Sequence, residues 1–235
     1  ISGAIEHSCN YFFYEVGYRL SRNNGVYDSD TGLEKLAYYA DQFGLSDKSG
    51  VEISESAPKV SDFDAIRSAI GQGTNNYSTV GLARYVTTVA NSGNCYNLSL
   101  LSKATDADGN LIADYTPTLR NTVDLRQSTW DAIHQGMRKV VEDKDYYKDL
   151  TIQVAGKTGT AQENRKRASH ALFVCYAPYE QPQIAIATRI AFGYASNYAA
   201  QVTKDIVKYY FKLEDESSLI TGTAESTNVV QSAGD

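Results

Sequence analysis

The strongest constraint on the fold of this chain is a strand-like segment that carries a lysine, two threonines and two glycines. Residues 154–162 read Val-Ala-Gly-Lys-Thr-Gly-Thr-Ala-Gln, and Thr151 and Ile152 before them also favour extended backbone. An apolar run over residues 170–177 follows a short basic loop. Two such runs predict an antiparallel β-hairpin that presents Lys157 on the flank of a strand.

This hairpin has the chemistry of an anion-binding surface. Gly159 has no side chain and would let another backbone lie close to the strand. The hydroxyls of Thr158 and Thr160 can donate to an anion, and Lys157 adds positive charge. An extended peptide that ends in a carboxylate would fit such a surface. The competing interpretation is an ordinary surface hairpin with a solvated lysine, because a three-residue motif needs structural context.

Composition argues against several classes of protein. The 235 residues carry 22 Lys and Arg against 28 Asp and Glu, a net charge of -6, and the basic cluster at residues 165–167 is too short for a nucleic-acid footprint. No apolar run approaches the ~18 residues of a membrane span. The first residues lack a signal-peptide pattern and read as if they begin inside a helix. We therefore expect a fragment whose targeting segment lies outside it.

Cysteine usage does not indicate a disulfide framework. Cys9, Cys95 and Cys175 are an odd number at wide spacing. His7 with Cys9, and His170 with Cys175, have the residue types of zinc ligands, so a structural zinc held by some of these four is one interpretation. The other is that the cysteines are small apolar residues of the core.

The apolar pattern predicts a mixed chain in the α/β (α+β) class. The expected helices span residues 11–20, 33–43, 80–91, 124–141 and 198–210, and a third apolar strand is expected over residues 183–190. A hairpin tip is expected at residues 106–110, between 98–100 and 111–112. The side chains expected to face the core from the last helix are Ala199, Ala200, Val202, Ile206 and Val207. Together these elements predict an antiparallel sheet with helices on both faces.

Two serine-containing segments bear on catalysis. Ser8 and Asn10 lie just before the first predicted helix, where either could cap its first turn. Residues 56–59, Ser-Ala-Pro-Lys, match a Ser-x-x-Lys pattern. In such a pair the amine reaches the hydroxyl when both lie on one helical turn, and Pro58 in a polar, turn-rich stretch does not offer that. We therefore do not expect Ser56 to be a nucleophile.

Three motifs follow one another along the chain: Ser-Cys-Asn at 8–10, Ala-Ile-Gly-Gln-Gly at 69–73, and Lys-Thr-Gly-Thr-Ala-Gln at 157–162 followed by the run at 170–178. In this order they resemble the transpeptidase domain of class B penicillin-binding proteins. The likeness is greatest to the elongation and sporulation branches of Gram-positive bacteria. It implies a penicillin-recognising serine transferase, or β-lactamase-like, fold that is incomplete at its N-terminus and occupies residues 1–213. Residues 214–235, rich in Ser, Thr, Gly and Glu, predict a disordered polar tail.

The resemblance implies acyl-transfer chemistry. In that family a serine on a Ser-x-x-Lys helix is acylated by the D-Ala-D-Ala end of a peptidoglycan stem peptide, and β-lactams stop the reaction after acylation. The family order is Ser-x-x-Lys, Ser-x-Asn, Lys-Thr-Gly, and Ser56 falls after the Ser-x-Asn match. The expected enzyme is thus a D,D-transpeptidase whose nucleophile lies upstream of Ile1, so this chain alone would not form an acyl-enzyme.

Three other functions stay open at this point. A non-catalytic penicillin-binding or sensor domain would bind cell-wall peptides without turnover. A D,D-carboxypeptidase would differ only in using water as the acceptor. A serine β-lactamase is less favoured, because a Glu-x-x-x-Asn segment that could supply the deacylating base is missing between Asn10 and Lys157.

The resemblance implies a role for each matching residue. Ser8 would relay protons, Asn10 would donate to a substrate amide carbonyl, and Lys157 would supply positive charge. Substrate-binding roles would fall on Thr158, Gly159 and Thr160, with the two hydroxyls on the terminal carboxylate and the Thr160 N–H as one oxyanion-hole donor.

The implied partners are stem peptides, β-lactams, an upstream segment with Ser-x-x-Lys and a membrane glycosyltransferase, with no nucleic acid. No cofactor is required. The implied location is the extracytoplasmic face of the cell membrane, behind an N-terminal anchor.

Overall fold

The computed structural model describes residues 1–163 and 166–219. Its helices are α1 (Ser2–Glu6), α2 (Asn10–Leu20), α3 (Ser29–Gln42), α4 (Ala65–Ser68), α5 (Thr79–Ala90), α6 (Gln127–Glu142), α7 (Ser196–Tyr210) and α8 (Glu216–Leu219). Its strands are β1 (Arg22–Asn23), β2 (Val26–Tyr27), β3 (Asn94–Asn97), β4 (Lys103–Thr105), β5 (Leu111–Asp114), β6 (Thr118–Thr122), β7 (Ala155–Ala161), β8 (His170–Ala177) and β9 (Ile184–Ile190). The five helices predicted from apolar periodicity are all present, with boundaries within a few residues of the predicted ones.

The central sheet is antiparallel, in the order β7-β8-β9. Its register pairs Lys157 with Val174 and Thr160 with Ala171 across β7 and β8. This confirms the predicted hairpin and its third strand. Within the described residues β7 has β8 as its one strand neighbour, so its other edge is unpaired.

Helices cover both faces of this sheet, as predicted. Alternate residues of β8 point to opposite faces. Phe173 and Cys175 pack with the buried face of α7, whereas Tyr176 packs with Val86 of α5 and Met137 of α6. The core therefore lies in two layers with the sheet between them, and the mixed helix and antiparallel-sheet class is confirmed.

The inward face of α7 differs from the prediction at two positions. Val202 is 45% exposed and Ile206 is 38% exposed, so the expectation that they face the core is wrong. Thr203 is buried instead, and its hydroxyl lies 2.7 Å from that of Thr188 on β9. Because Ala199 and Ala200 have small side chains, α7 packs close to the sheet, and the buried face of the helix is narrow.

The hairpin at residues 106–110 is confirmed at its tip but not on its first strand. Asp106 accepts hydrogen bonds from the backbone N–H groups of Asp108 and Asn110, which closes the turn. The strand that pairs with β5 is β4, so the expectation that residues 98–100 form it is wrong. Leu98 instead donates its N–H to the carbonyl of Ser49.

The chain after α7 was predicted to be a disordered tail from residue 214. The structure places α8 at its start, and residues 220–235 lie outside the described residues, so their disorder stays a prediction. Among the described helices, none combines the length and the apolar character needed to cross a membrane.

Candidate active site

Ser8 lies in a strained turn between α1 and α2. Its φ of +48° is in the left-handed region, which is uncommon for a residue with a Cβ. The residue that precedes α2 as its N-cap is Cys9, and no side-chain hydrogen bond caps that helix. The interpretation of Ser8 and Asn10 as capping residues is therefore wrong. Asn10 is exposed as the first residue of α2.

Lys157 reaches the Ser8 turn from β7. Its Nζ donates to Ser8 Oγ, which joins two residues 149 positions apart in the chain. It also donates to the carbonyl oxygen of Thr158 at 3.0 Å and lies 3.5 Å from the Thr158 hydroxyl. Burial lowers the pKa of the Lys157 amine, and the positive charge of Lys144 lowers it further. The amine is thus held against a hydroxyl in a form that gives up its proton more readily than an exposed lysine does.

The rest of the Lys-Thr-Gly-Thr segment continues along the open edge of β7. Thr158 and Gly159 are half-buried and Thr160 is exposed. A Cβ built on Gly159 would lie 3.4 Å from the Cβ of Leu172, an ordinary contact, so internal packing does not require glycine there. At Gly156 the same atom would lie 2.4 Å from Phe173 Cζ, so glycine is required by the core.

The Ala-Ile-Gly-Gln-Gly motif at residues 69–73 forms a tight turn after α4, which packs against α2. Gly71 and Gly73 have φ values of +80° and +85°, the left-handed region that glycine adopts at no steric cost. A Cβ on Gly73 would lie 2.5 Å from Ser61 Oγ, whereas nothing lies within 4 Å of one on Gly71. Packing therefore explains Gly73 but not Gly71.

The Ser-x-x-Lys match at residues 56–59 has no catalytic geometry. These residues lie outside any helix, and Lys59 pairs with Asp62 at 3.0 Å. The structure agrees with the expectation that Ser56 is not a nucleophile.

The zinc interpretation is not supported. His7 is exposed beside Glu6, and Cys175 is fully buried, where burial raises the pKa of its thiol and keeps it protonated. His170 is bonded to Glu163 and to a backbone N–H. Among residues 1–163 and 166–219, no three His, Cys, Asp or Glu side chains converge on a metal position. Buried Cys175 fits the small apolar interpretation.

The structure brings Ser8, Lys157 and Thr158 together by hydrogen bonds, while Asn10 and Thr160 are exposed and make no side-chain hydrogen bond to them within the described residues. Sequence reasoning missed the influence of Lys144 and the contacts of His170 with Glu163 and with residues after β9. No sequence signal marks these pairs, because they depend on how β7, β8 and β9 are placed in the sheet.

Comparisons with known proteins identify relatives over almost the whole chain. The family model described as "Penicillin binding protein transpeptidase domain" matches residues 1–210. Penicillin-binding protein 2B of Streptococcus pneumoniae is 26% identical over 240 residues, covering 89% of this chain and 35% of its own length. The peptidoglycan D,D-transpeptidase MrdA of Haemophilus influenzae is 27% identical over 248 residues, covering 89% of this chain and 36% of its own.

Solved structures show the same fold. The structure of penicillin-binding protein 2B from Streptococcus pneumoniae superposes with a TM-score of 0.79 at 25% identity, covering 91% of this chain and 39% of that one. Penicillin-binding protein A of M. tuberculosis, solved as an imipenem acyl-enzyme complex, gives a TM-score of 0.76 at 21% identity, covering 89% and 47%. The chain spans about a third of the length of the curated relatives it matches.

Proposed function

Because the chain belongs to the family of penicillin-binding protein transpeptidase domains, we propose that it is part of a peptidoglycan D,D-transpeptidase that cross-links stem peptides through a serine acyl-enzyme. The observation that carries this proposal is the hydrogen bond from Lys157 Nζ to Ser8 Oγ at the open edge of β7. It joins two of the three residues to which the motif match gives catalytic roles. Ser56 is not placed to attack a substrate, so the nucleophile in this proposal is a serine on a Ser-x-x-Lys helix outside these 235 residues.

In the proposed acylation step, the nucleophile's oxygen forms a bond to the carbonyl carbon of the penultimate D-alanine. The nucleophile's hydroxyl proton passes to the lysine of its Ser-x-x-Lys pair, the bond from that carbon to the terminal D-alanine nitrogen breaks, and the leaving amine must receive a proton. Because Lys157 donates to Ser8 Oγ, the hydroxyl hydrogen of Ser8 is free to be donated to the leaving amine. The lowered pKa of Lys157 eases the transfer of a replacement proton to Ser8.

The open edge of β7 supports the binding half of the proposal. An extended stem peptide can add to the unpaired edge as a further strand. Thr158 and Thr160 would bind its terminal carboxylate, or that of a β-lactam, and Asn10 would donate to its amide carbonyl. Gly159 leaves the edge unobstructed because it has no side chain, and no internal contact demands a glycine there. The backbone N–H of Thr160 would be one of two oxyanion donors, each worth roughly 3 to 4 kcal/mol in the transition state.

On the basis of the family membership, we also propose that the protein acts at the extracytoplasmic face of the cell membrane, beside a membrane glycosyltransferase.

Intact-mass spectrometry after incubation with a penicillin tests the proposed chemistry. We expect an adduct on the full-length protein and none on this 235-residue chain alone. An adduct on the short chain would place the nucleophile within it, and no adduct on either would favour a non-catalytic binding module. With a stem-peptide substrate, a cross-linked dimer identifies a transpeptidase, whereas release of D-alanine alone identifies a carboxypeptidase.

A further inference from the structure

His170 lies one step beyond the proposed substrate-binding segment. It is the first residue of β8 and pairs with Ala161, the last residue of β7, directly after the pair of Thr160 with Ala171. Its side chain is 9% exposed. A polar side chain buried to this degree must have hydrogen-bond partners for its polar atoms. The proposed function gives His170 no role.

Two hydrogen bonds fix the chemical form of the His170 ring. The backbone N–H of Phe192 donates to Nδ1 at 3.1 Å, so Nδ1 carries a lone pair and no proton. The proton of the ring is therefore on Nε2, which donates to Glu163 Oε2 at 3.0 Å. The imidazole is held as the Nε2–H tautomer between a backbone donor and a carboxylate acceptor.

Charged and aromatic groups from the neighbouring segments surround the ring. Arg189 on β9 places its Nη2 3.3 Å from both ring nitrogens. The ring of Phe192 lies 4.8 Å from the imidazole, centre to centre, and the guanidinium carbon of Arg167 lies 5.4 Å from the centre of the Phe192 ring. His170 thus links the segment after β7 to β9 and to the turn that follows β9.

That turn has a backbone conformation that needs support. Phe192 and Tyr194 have φ values of +54° and +63°, which residues with a Cβ seldom adopt unless the surrounding structure enforces it. The N–H of Tyr194 donates to the carbonyl of Ser169 at 3.1 Å, next to His170. The turn is therefore held from the start of β8 by both a backbone and a side-chain hydrogen bond.

We propose that His170 is a positioning residue for the substrate-binding strand, an inference that rests on the proposed function. Its Nε2–H donates to Glu163, three residues after Thr160. This hydrogen bond fixes the backbone that leaves β7 next to the hydroxyls proposed to bind the carboxylate. This contact matters because β7 is an edge strand, with no described strand on its outer side to fix its end. Loosening Glu163 weakens substrate binding and removes no group that transfers a proton.

The first test compares two substitutions of Glu163 in the complete protein. Rapid-mixing kinetics with a fluorescent penicillin separate the dissociation constant from the acylation rate constant. We expect Glu163→Ala to raise the dissociation constant about fivefold, the effect of one partly exposed hydrogen bond to a charged group. The acylation rate constant should change less than about twofold, because the proton-transferring groups are intact. Glu163→Gln should restore binding, since its amide oxygen can accept from Nε2–H.

Substitutions of His170 separate its two hydrogen bonds. His170→Gln keeps a donor at the Nε2 position, whereas His170→Asn keeps only an acceptor near the Nδ1 position. The proposal requires the Gln variant to bind the drug more tightly than the Asn variant. The opposite order would overturn it and assign the effect to the Phe192 turn. His134→Gln is the control, because His134 is a half-buried histidine bonded to the carbonyl of Val89 at 2.8 Å, away from the end of β7.

Two measurements without any drug keep the inference separate from the proposed function. Nitrogen-15 NMR should report the Nε2–H tautomer for His170, and Glu163→Ala should speed amide exchange over residues 161–163 in the free protein. If penicillin does not acylate the wild-type protein, the proposed function fails. The amide-exchange result then tests the positioning role of His170 by itself. Unchanged exchange at these residues in Glu163→Ala would overturn that role in either case.

Discussion

At Lys157, folding places an amine where its charged form is disfavoured. Its pKa is lowered chiefly by burial, and a folded-state pKa below the ordinary value means that the charged form loses stability on folding. This unfavourable contribution is full below the folded-state pKa and disappears as the pH rises from there to the ordinary lysine pKa of 10.5. The amine therefore costs stability at neutral pH, and its place in the site has a functional explanation.

Lys157→Ala should abolish acylation of the complete protein by a fluorescent penicillin. The thermal midpoint should stay within about 2 °C of the wild type, because the substitution removes an unfavourable burial along with one hydrogen bond to Ser8. Gel fluorescence and differential scanning calorimetry measure the two quantities. Wild-type labelling of this variant would remove Lys157 from the mechanism.

Lys144→Gln tests the electrostatics of the same amine. The positive charge of Lys144 lowers the pKa of Lys157, so its removal should raise that pKa. In a profile of acylation rate against pH, the alkaline limb, where Lys157 loses its proton, should move to higher pH. Lys148→Gln is a matched control, because Lys148 is a nearby exposed lysine that pairs with Asp145. An equal shift in both variants would indicate a general charge effect and not a local one.

At the scale of the elements, local pattern was enough to predict the type and order of the longer helices and of the central strands, but not every short strand or orientation. Apolar periodicity located α2, α3, α5, α6 and α7, and the strands β7, β8 and β9 followed from apolar runs. The outward direction of Val202 and Ile206 could not be predicted, because it depends on how closely α7 approaches the sheet. The buried Arg84, which donates to the carbonyls of Gly44 and Lys48, had no signal in the sequence either.

In the candidate site, too, some features could be predicted from the sequence and others could not. Motif spacing singled out Ser8 and the segment from Lys157 to Thr160, because each carries its chemistry in consecutive residues. The strained φ of Ser8 and the Glu163 contact of His170 could not be predicted, since both follow from contacts between distant parts of the chain.

The edge of β7 gives a prediction for Gly159→Val. The new side chain meets Leu172 at an ordinary contact distance, so the free energy of unfolding should change by less than about 1 kcal/mol. Binding of a β-lactam should fall sharply, because the side chain fills the space beside the strand where the proposed function places the ligand. Competition with a fluorescent penicillin measures this loss.

Gly156→Ala, in contrast to Gly159→Val, should lower the free energy of unfolding. Its Cβ would collide with Phe173 and Cys175 in the core, so it should destabilise the protein by about 1 to 3 kcal/mol. Chemical denaturation measures this difference.

Unchanged drug binding in Gly159→Val would argue against addition of the ligand as a strand.

At the scale of the whole molecule, rigidity is unevenly distributed. The sheet is packed on both faces by two core clusters, whereas every residue of β4 and β5 is exposed. Elements with few buried apolar contacts open more readily than core strands. The candidate site residue Lys157 lies on this packed sheet, and a hydrogen bond joins it to Ser8 in the turn after α1.

Amide hydrogen exchange should reveal this division directly. Peptides from β8 should exchange at least about 100-fold more slowly than peptides from β4 and β5, because core strands open only with much of the global unfolding free energy. Mass spectrometry of the native protein resolves both regions. Similar exchange in the hairpin and in β8 would show that the hairpin is held by contacts that its exposure does not reveal.

The unpaired edge of β7 has a further consequence for how copies of this protein behave in concentrated solution. In the proposed function the free strand edge accepts a stem peptide, but such an edge also offers the same backbone groups to a strand of a neighbouring copy, which is a route to aggregation. Charged side chains on a strand edge oppose such pairing, and Lys157 lies half-buried on this edge. We therefore expect Lys157 to oppose self-association, in addition to the chemistry proposed for it.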